Sequence, residues 1–202
     1  MRVIAGRLKG RRLKTPTWAG LRPTSDKLRE TLFNILAPRM AGARVLDGYA
    51  GTGAIGIEAV SRGARSVTLV DRDRRAQALI AENLAACGVE NLCAIIPAEV
   101  AEALDTLQAQ PAFEPFDIVV LDPPYAPERR GTLEAILRSA GELLARNGVI
   151  VLEHARRDAA PETAGQLVRT RTVDSGDSAL SFYELRQPPV SSDAVPRDPR
   201  IC

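Results

Sequence analysis

The chain has 202 residues, 45% hydrophobic and 26% charged, a composition with room for one well-formed core. No stretch approaches the roughly 20 consecutive apolar residues of a membrane helix, and Met1-Arg2-Val3-Ile4-Ala5-Gly6-Arg7 lacks the apolar run of a secretion signal. A cytoplasmic protein without a membrane partner is expected. Cys87, Cys93 and Cys202 form no C-x-x-C pair and His154 is the single histidine, which sets aside structural zinc, a disulfide framework and most Ser-His or Cys-His catalysis, so no metal is expected. The net charge of +2 conceals an asymmetry: residues 1–44 carry 11 Lys/Arg against 2 acids, or +9, and residues 45–202 carry 16 against 23, or −7. A basic arm on a mildly acidic body points to a segment that meets a polyanion.

In chain order, Arg2-Val3-Ile4-Ala5 and Arg12-Leu13-Lys14 read as two short strands joined through Gly6 and Gly10, a basic hairpin. From Thr24 or Ser25, either a suitable N-cap, Leu28, Leu32, Ile35 and Leu36 recur at helical spacing as far as Pro38, with Lys27, Arg29 and Glu30 expected on the outer face. Strand and helix then alternate: Arg44-Val45-Leu46 before a helix over 54–62, Ser66 to Val70 before 73–87, and Leu92 to Ile96 before 99–108. Phe116 to Leu121 and Gly148 to Glu153 are two further apolar strands, separated by a helix over 131–146. Continuous apolar strands alternating with helices predict an α/β fold with a parallel sheet covered on both faces. Gln166 to Val173 and Ala179 to Leu185, joined by Asp174-Ser175-Gly176-Asp177, predict a closing antiparallel hairpin. The chain thus divides into a basic extension over 1–40, a main domain over 41–186, and a tail over 187–202 whose four prolines predict disorder.

Two motifs carry chemistry. Asp47-Gly48-Tyr49-Ala50-Gly51-Thr52-Gly53 puts a carboxylate at a strand end and a glycine turn directly before a helix, where ligands bind in open α/β sheets. Gly51 and Gly53 let the backbone approach a ligand, and the following helix offers free N–H groups. With Gly56 and with Asp71, 20 residues past Gly51, the stretch fits a dinucleotide fingerprint. It also fits S-adenosylmethionine, whose ammonium group wants a carboxylate such as Asp47. Asp71, at the end of the second strand, is placed to accept both ribose hydroxyls, or else to cap a helix. Glu99, after the third strand, is placed to accept from an adenine amino group, or to favour a helix N-terminus. The second motif, Asp122-Pro123-Pro124-Tyr125, follows the fourth apolar strand. Its two prolines fix an extended backbone without N–H donors, so an acid, a bare carbonyl and an aromatic ring stand in one rigid array. Such an array holds a planar amine with its lone pair free for in-line methyl transfer. Arg129 and Arg130, just beyond, suit phosphates flanking a target base.

The Asp-Pro-Pro-Tyr signature together with Val45-Leu46-Asp47 to Gly53 resembles the class I methyltransferases that modify amino groups. Arg2-Val3-Ile4-Ala5-Gly6, Gly10-Arg11-Arg12-Leu13, Leu21-Arg22-Pro23-Thr24, Arg29-Glu30-Thr31-Leu32-Phe33-Asn34-Ile35-Leu36 and the closing Gly176 to Tyr183 make the chain similar to the RsmD family over about residues 1–186. The resemblance implies a Rossmann-like, mostly parallel seven-stranded sheet with an antiparallel C-terminal hairpin, carrying a small basic hairpin-and-helix extension. It implies a monomeric S-adenosylmethionine-dependent enzyme that methylates guanine N2 in 16S ribosomal RNA of the assembling small subunit. Asp47, Tyr49, Ala50, Gly51, Thr52, Gly53, Asp71, Arg72, Glu99 and Val100 would hold the cofactor, and Asp122, Pro123, Pro124 and Tyr125 would carry the chemistry. Arg7, Lys9, Arg11, Arg12, Arg22, Arg129 and Arg130 would contact RNA, with Arg22-Pro23-Thr24 expected to fold over the cofactor. Three positions depart from the family pattern: Tyr49 stands in place of phenylalanine, Asp71 in place of glutamate, and Pro97-Ala98-Glu99 in place of an Asp-containing step. Alternatives from the residues alone are an N6-adenine methyltransferase acting on DNA or RNA, a dinucleotide-dependent oxidoreductase, and a non-catalytic ribosome-assembly protein. The oxidoreductase leaves Asp122 to Tyr125 without a role. His154, after the fifth strand, reads as a structural residue.

Overall fold

A computed structural model of the chain describes residues 1–18, 25–124 and 130–186. Five strands run parallel: β1 (Arg44–Asp47), β2 (Ser66–Val70), β3 (Cys93–Ile96), β4 (Phe116–Leu121) and β5 (Leu144–Ala155). β6 (Thr163–Ala164), β7 (Leu167–Ser175) and β8 (Ser178–Leu185) complete one sheet in the order β3-β2-β1-β4-β5-β8-β7-β6, with β8 antiparallel to β5 and to β7. The inner strands are apolar on both faces because both faces are covered. Val45, Ile118, Val120, Val149 and Val151 pack in one core with α1 (Asp26–Met40), α2 (Ala54–Ser61) and α3 (Arg74–Cys87). Leu46, Val119, Leu121, Ile150 and Leu152, one residue out of phase, pack with α4 (Val100–Gln108) and α5 (Arg130–Glu142). The chain steps from β1 outward to β2 and β3, then returns to place β4 on the other side of β1. That reversal opens a crevice at the carboxyl ends of β1 and β4, the usual ligand position in such sheets.

The N-terminal residues are pinned to α2 and α3. Val3, Leu8 and Leu13 are buried in the same core as Leu32, Phe33 and Ile57, whereas Arg2, Arg7, Lys9, Arg11 and Arg12 are exposed. Glu58 of α2, fully buried, accepts hydrogen bonds from the backbone N–H of Ile4 (2.7 Å) and Ala5 (3.0 Å) and from Arg62 Nε (2.7 Å). Because Ile4 and Ala5 donate to that carboxylate, they are not free to pair with a second strand. The expected two-stranded hairpin is therefore reduced to a single bridge between Arg2 and Arg12. Gly6 turns the chain over the end of α2 at φ +79°, where a Cβ would lie 1.9 Å from the Ser61 carbonyl oxygen.

Several boundaries differ from those read in the sequence. Arg29, expected outside, has no exposed surface: it lies 3.9 Å from Glu58 and donates to Asp26 (2.7 Å) and to the Arg2 carbonyl (3.0 Å), so it neutralises the buried acid that holds the arm. α1 continues past Pro38 to Met40, since a proline so near the end is followed by only two helical residues, Arg39 and Met40, before the cap at Ala41 and the turn at Gly42. Leu92 belongs to a short 3-10 turn (Glu90–Leu92) before β3. α5 stops at Glu142, not 146, because Leu144 already pairs with Phe116, after which the β4–β5 register shifts. The two-residue β6 adds an eighth strand to the expected seven. The tail over 187–202 lies outside the described residues. Among the described residues, no helix is long and apolar enough to cross a membrane, and no group of His, Cys, Asp and Glu is placed to hold a metal ion.

Candidate active site

The crevice above β1 and β4 is a cavity of about 1090 Å³, bordered by the Gly48–Thr52 turn, Asp71 to Asp73, Ala98 to Val100, and Asp122 to Pro124. The two motifs and the intervening acids, far apart in sequence, meet there because each follows the carboxyl end of a strand. The volume reaches the upper end of small-ligand pockets, about 300–1,000 Å³. The cavity thus has room for a nucleoside cofactor and part of a second molecule.

Backbone geometry explains the glycines. Gly51 (φ +55°) and Gly53 (φ +76°) occupy the left-handed region, which makes the turn tight enough to start α2 at Ala54. Gly56 serves packing, since a Cβ there would come within 2.8 Å of Leu69 and 3.0 Å of Val67. The turn is anchored by Gly48 N–H donating to the Val120 carbonyl (2.8 Å) and by Ala50 N–H donating to Val70 (3.0 Å). Asp71 then fastens it from β2: one carboxylate oxygen accepts from Gly51 N–H (2.9 Å) and the other from Asp73 N–H (2.9 Å). Each oxygen keeps further acceptor capacity for a diol. The helix cap foreseen as an alternative for Asp71 is made instead by Asp73, which accepts from Arg75 N–H (2.8 Å) and whose carboxyl is held at about 2, first by its hydrogen bond to the Arg75 side chain.

Asp47 sits differently from the expectation of direct ligand contact. It is 1% exposed, does not border the cavity, and lies beneath the turn against the backbone N–H groups of Gly56 and Tyr49. Burial pushes its carboxyl up to about 7, with the Asp71 charge adding to the rise, and its Oδ2 has no hydrogen-bond partner. A buried acid with one oxygen unanswered favours a cation nearby, and in a low-dielectric interior that attraction acts through the thin glycine turn. Tyr49, Ala50, Gly51, Thr52, Arg72, Glu99 and Val100 all border the cavity; Gly53 does not and serves the turn. Glu99 is already paired with Arg72 at 2.6 Å across the tips of β2 and β3, so only its remaining acceptor capacity is open to an adenine amine. The orphaned Oδ2, the diol-ready Asp71 and the glycine turn together fit the ammonium, ribose and backbone-hugging chain of S-adenosylmethionine.

Asp122, Pro123 and Pro124 follow β4 directly and border the same cavity. Tyr125, Arg22 and Arg129 lie outside the described residues, and Arg130 opens α5 with its side chain likewise undescribed. Two side chains, Asn83 and Glu153, have roles that the sequence reading did not assign, and His154 takes the structural setting expected of it. Asn83 of α3, fully buried, accepts from Lys14 N–H (2.8 Å) and donates to the Lys14 carbonyl (3.1 Å) and the Thr52 carbonyl (2.9 Å), tying the arm to the glycine turn. Glu153 and His154, at the end of β5, border the cavity beside Asp122. His154 is bonded to Ser181 Oγ (2.9 Å) and the Ala155 carbonyl (3.0 Å), a structural setting. No motif marks Asn83 or Glu153: strand order brings Glu153 to the cavity, and the packing of α3 under the glycine turn brings Asn83 to Lys14 and Thr52. Cysteine chemistry is disfavoured at both described thiols: burial raises Cys87, and burial with the Glu90 charge raises Cys93 to about 12.

The chain is similar over most of its length to known proteins. The family model described as conserved hypothetical protein 95 matches residues 1–184. YlbH of Bacillus subtilis (strain 168) is 37% identical over 188 residues, covering 92% of this chain and all of that protein. Ribosomal RNA small subunit methyltransferase D of Escherichia coli (strain K12) is 35% identical over 196 residues, covering 96% and 94%. Among solved structures, yhhF from Escherichia coli superposes with a TM-score of 0.78 at 32% identity, covering 93% of this chain and 99% of that one. A Rossmann-like sheet ending in an antiparallel hairpin, with both motifs at its switch point and a family match running from Met1 almost to the end of β8, places the chain in the conserved hypothetical protein 95 family, the RsmD family of methyltransferases.

Proposed function

We propose that this protein uses S-adenosylmethionine to methylate the exocyclic N2 of a guanine in 16S ribosomal RNA of the small subunit. The observation that carries the reading is the position of Asp122, Pro123 and Pro124 at the tip of β4, in one cavity with the glycine turn and Asp71. S-adenosylmethionine supplies a methyl group on a positively charged sulfur. Asp71 would hold the ribose hydroxyls, the Gly48–Thr52 turn the amino-acid chain, and the buried Asp47 charge would favour its ammonium. An amine conjugated to a purine ring is a weak nucleophile. The Asp122 carboxylate and the Pro123 carbonyl, neither hindered by a nearby proline N–H, accept its two N–H bonds and aim the nitrogen lone pair into the cavity. Asp122 also takes the proton that N2 releases as its bond to carbon forms. The base must leave its stack to reach this site, and the Tyr125 ring is assigned to replace part of the lost stacking. Exposed Arg7, Lys9, Arg11 and Arg12 hold the phosphate backbone.

Methyl incorporation into undermethylated small subunits, followed by digestion to nucleosides and mass spectrometry, should give N2-methylguanosine. Asp122→Ala should lower the rate by at least a hundredfold while leaving most of the RNA affinity, which the arm supplies. N6-methyladenosine as the product would overturn the guanine target. Full activity of Asp122→Ala would overturn the mechanism, and RNA binding without any methyl transfer would favour an assembly protein.

A further inference from the structure

We propose that Glu153 is the residue that selects guanine over adenine, by accepting the N1–H of the target base; this rests on the guanine-methylating reading above. The β4–β5 register pairs Leu121 with Leu152, so Asp122, the first residue past the end of β4, and Glu153, near the end of β5, each directly follow a register pair of neighbouring parallel strands. Side chains alternate along both strands: Val120 and Val151 share the core with α1 to α3, and Leu121 and Leu152 share the opposite core. The same alternation directs Glu153 to the side of Val151, and Glu153 and Asp122 both border the cavity. Glu153 is only 6% exposed, so its carboxylate is held in a largely dry position next to the amine-binding group. It is also remote from the cofactor acids. Asp71 and Glu99 lie beyond β2 and β3 on one side of β1, whereas β4 and β5 lie on the other.

The purine edge supplies the complement. In guanine the atom beside the exocyclic amine is N1, which bears a proton; in adenine the amine also adjoins N1, but there N1 is a bare acceptor. A carboxylate one strand away from Asp122 receives the first and repels the second, and a buried site built around one hydrogen-bond polarity rejects the opposite one strongly. By drawing on the N1–H bond, Glu153 also leaves more electron density on N2. In the transfer, the N2 lone pair forms the bond to the methyl carbon, the carbon–sulfur bonding pair stays on sulfur, and the displaced N2 proton passes to Asp122. Glu153 exchanges no proton in this step.

The test uses the full-length protein and two small-subunit RNA substrates differing only at the target base: guanine, or 2-aminopurine, which keeps the 2-amino group but has an unprotonated N1. The wild-type enzyme should prefer guanine in kcat/KM by a hundredfold or more. In Glu153→Gln the guanine value should fall at least tenfold, while 2-aminopurine holds or improves because the amide can donate to N1, so the preference shrinks by more than tenfold. Glu153→Asp keeps the carboxylate and should keep the preference while losing rate, and S-adenosylmethionine affinity should be unchanged in both variants. Equal losses on the two substrates, with the preference intact in Glu153→Gln, would overturn the proposal and leave Glu153 a merely structural acid. Wild-type protein that forms no N2-methylguanosine would instead overturn the functional reading on which the proposal stands.

Discussion

At the scale of single residues, the site runs on carboxylates whose environments differ. Asp71 and Asp73 are satisfied by backbone and arginine donors, but Asp47 is buried with one oxygen unanswered and its carboxyl raised to about 7. A carboxyl raised above its unfolded value binds its proton more tightly in the folded state, so stability falls as pH rises from about 4 to about 7 and stays lowered above that. Asp47→Asn removes the buried charge and should stabilise the free protein at pH 8 by a few kcal/mol, an order-of-magnitude figure from roughly 1.4 kcal/mol per pKa unit, with little change near pH 4. The same substitution should weaken S-adenosylmethionine binding about tenfold to a hundredfold at neutral pH, since the charge that answers the ammonium is gone. Between pH 5 and 7, wild-type affinity should tighten as Asp47 ionises, and the Asn variant should show a flat profile. Thermal unfolding and calorimetric titration over this range check both halves. A variant less stable at pH 8 with unchanged cofactor affinity would mean that Asp47 only braces the turn.

At the scale of elements, Glu58 shows what a periodicity reading leaves out. Ala54–Ser61 is legible as a helix, and the parallel strands are legible as apolar runs, because repeating side-chain patterns report which faces are covered. The pinning of residues 1–14 is not legible, since it depends on one carboxylate in α2 meeting two backbone N–H groups more than fifty residues away. Arg29 lies inside and not on the outer face for the same reason: its charge predicts exposure, while its role is to neutralise that carboxylate. Removing one partner of a buried pair strands the other charge, so Glu58→Ala should cost about 3–5 kcal/mol, much of a domain's net stability of about 5–15 kcal/mol. Adding Arg29→Met should recover part of the loss, leaving the deficit of the orphaned Ile4 and Ala5 N–H groups. Denaturant midpoints of the two single variants and the double variant measure this, and strictly additive losses would show that the two side chains do not interact. In native-state hydrogen exchange, Ile4 and Ala5 should lose protection in Glu58→Ala even where α4 and α5 keep theirs.

At the scale of the whole molecule, the charge asymmetry acquires a shape. The motifs at Asp47–Gly53 and Asp122–Pro124 were readable because each packs several chemical requirements into a few consecutive residues; Glu153 and Asn83 were not, because only the strand order brings Glu153 to the cavity and only the docked arm gives Asn83 its partners. The arm buries Val3, Leu8 and Leu13 against the body and leaves Arg7, Lys9, Arg11 and Arg12 exposed, none of them in an ion pair among the described residues. Those four cations are thus held by a rigid platform beside the glycine turn, to which Asn83 connects it, and they lose little conformational freedom on meeting phosphates. Neutralising all four to Gln should weaken RNA binding and flatten the slope of log affinity against log salt by roughly 3, since each phosphate contact releases about 0.7–0.9 counterion. Fold stability should change by less than about 0.5 kcal/mol, as expected for surface substitutions away from buried networks, and S-adenosylmethionine affinity should stay the same. Filter binding of a 16S RNA fragment at several salt concentrations, with cofactor titration on the same preparation, makes the measurement. A salt slope that survives the fourfold substitution would remove the arm from the RNA interface and shift that role to cations elsewhere on the molecule.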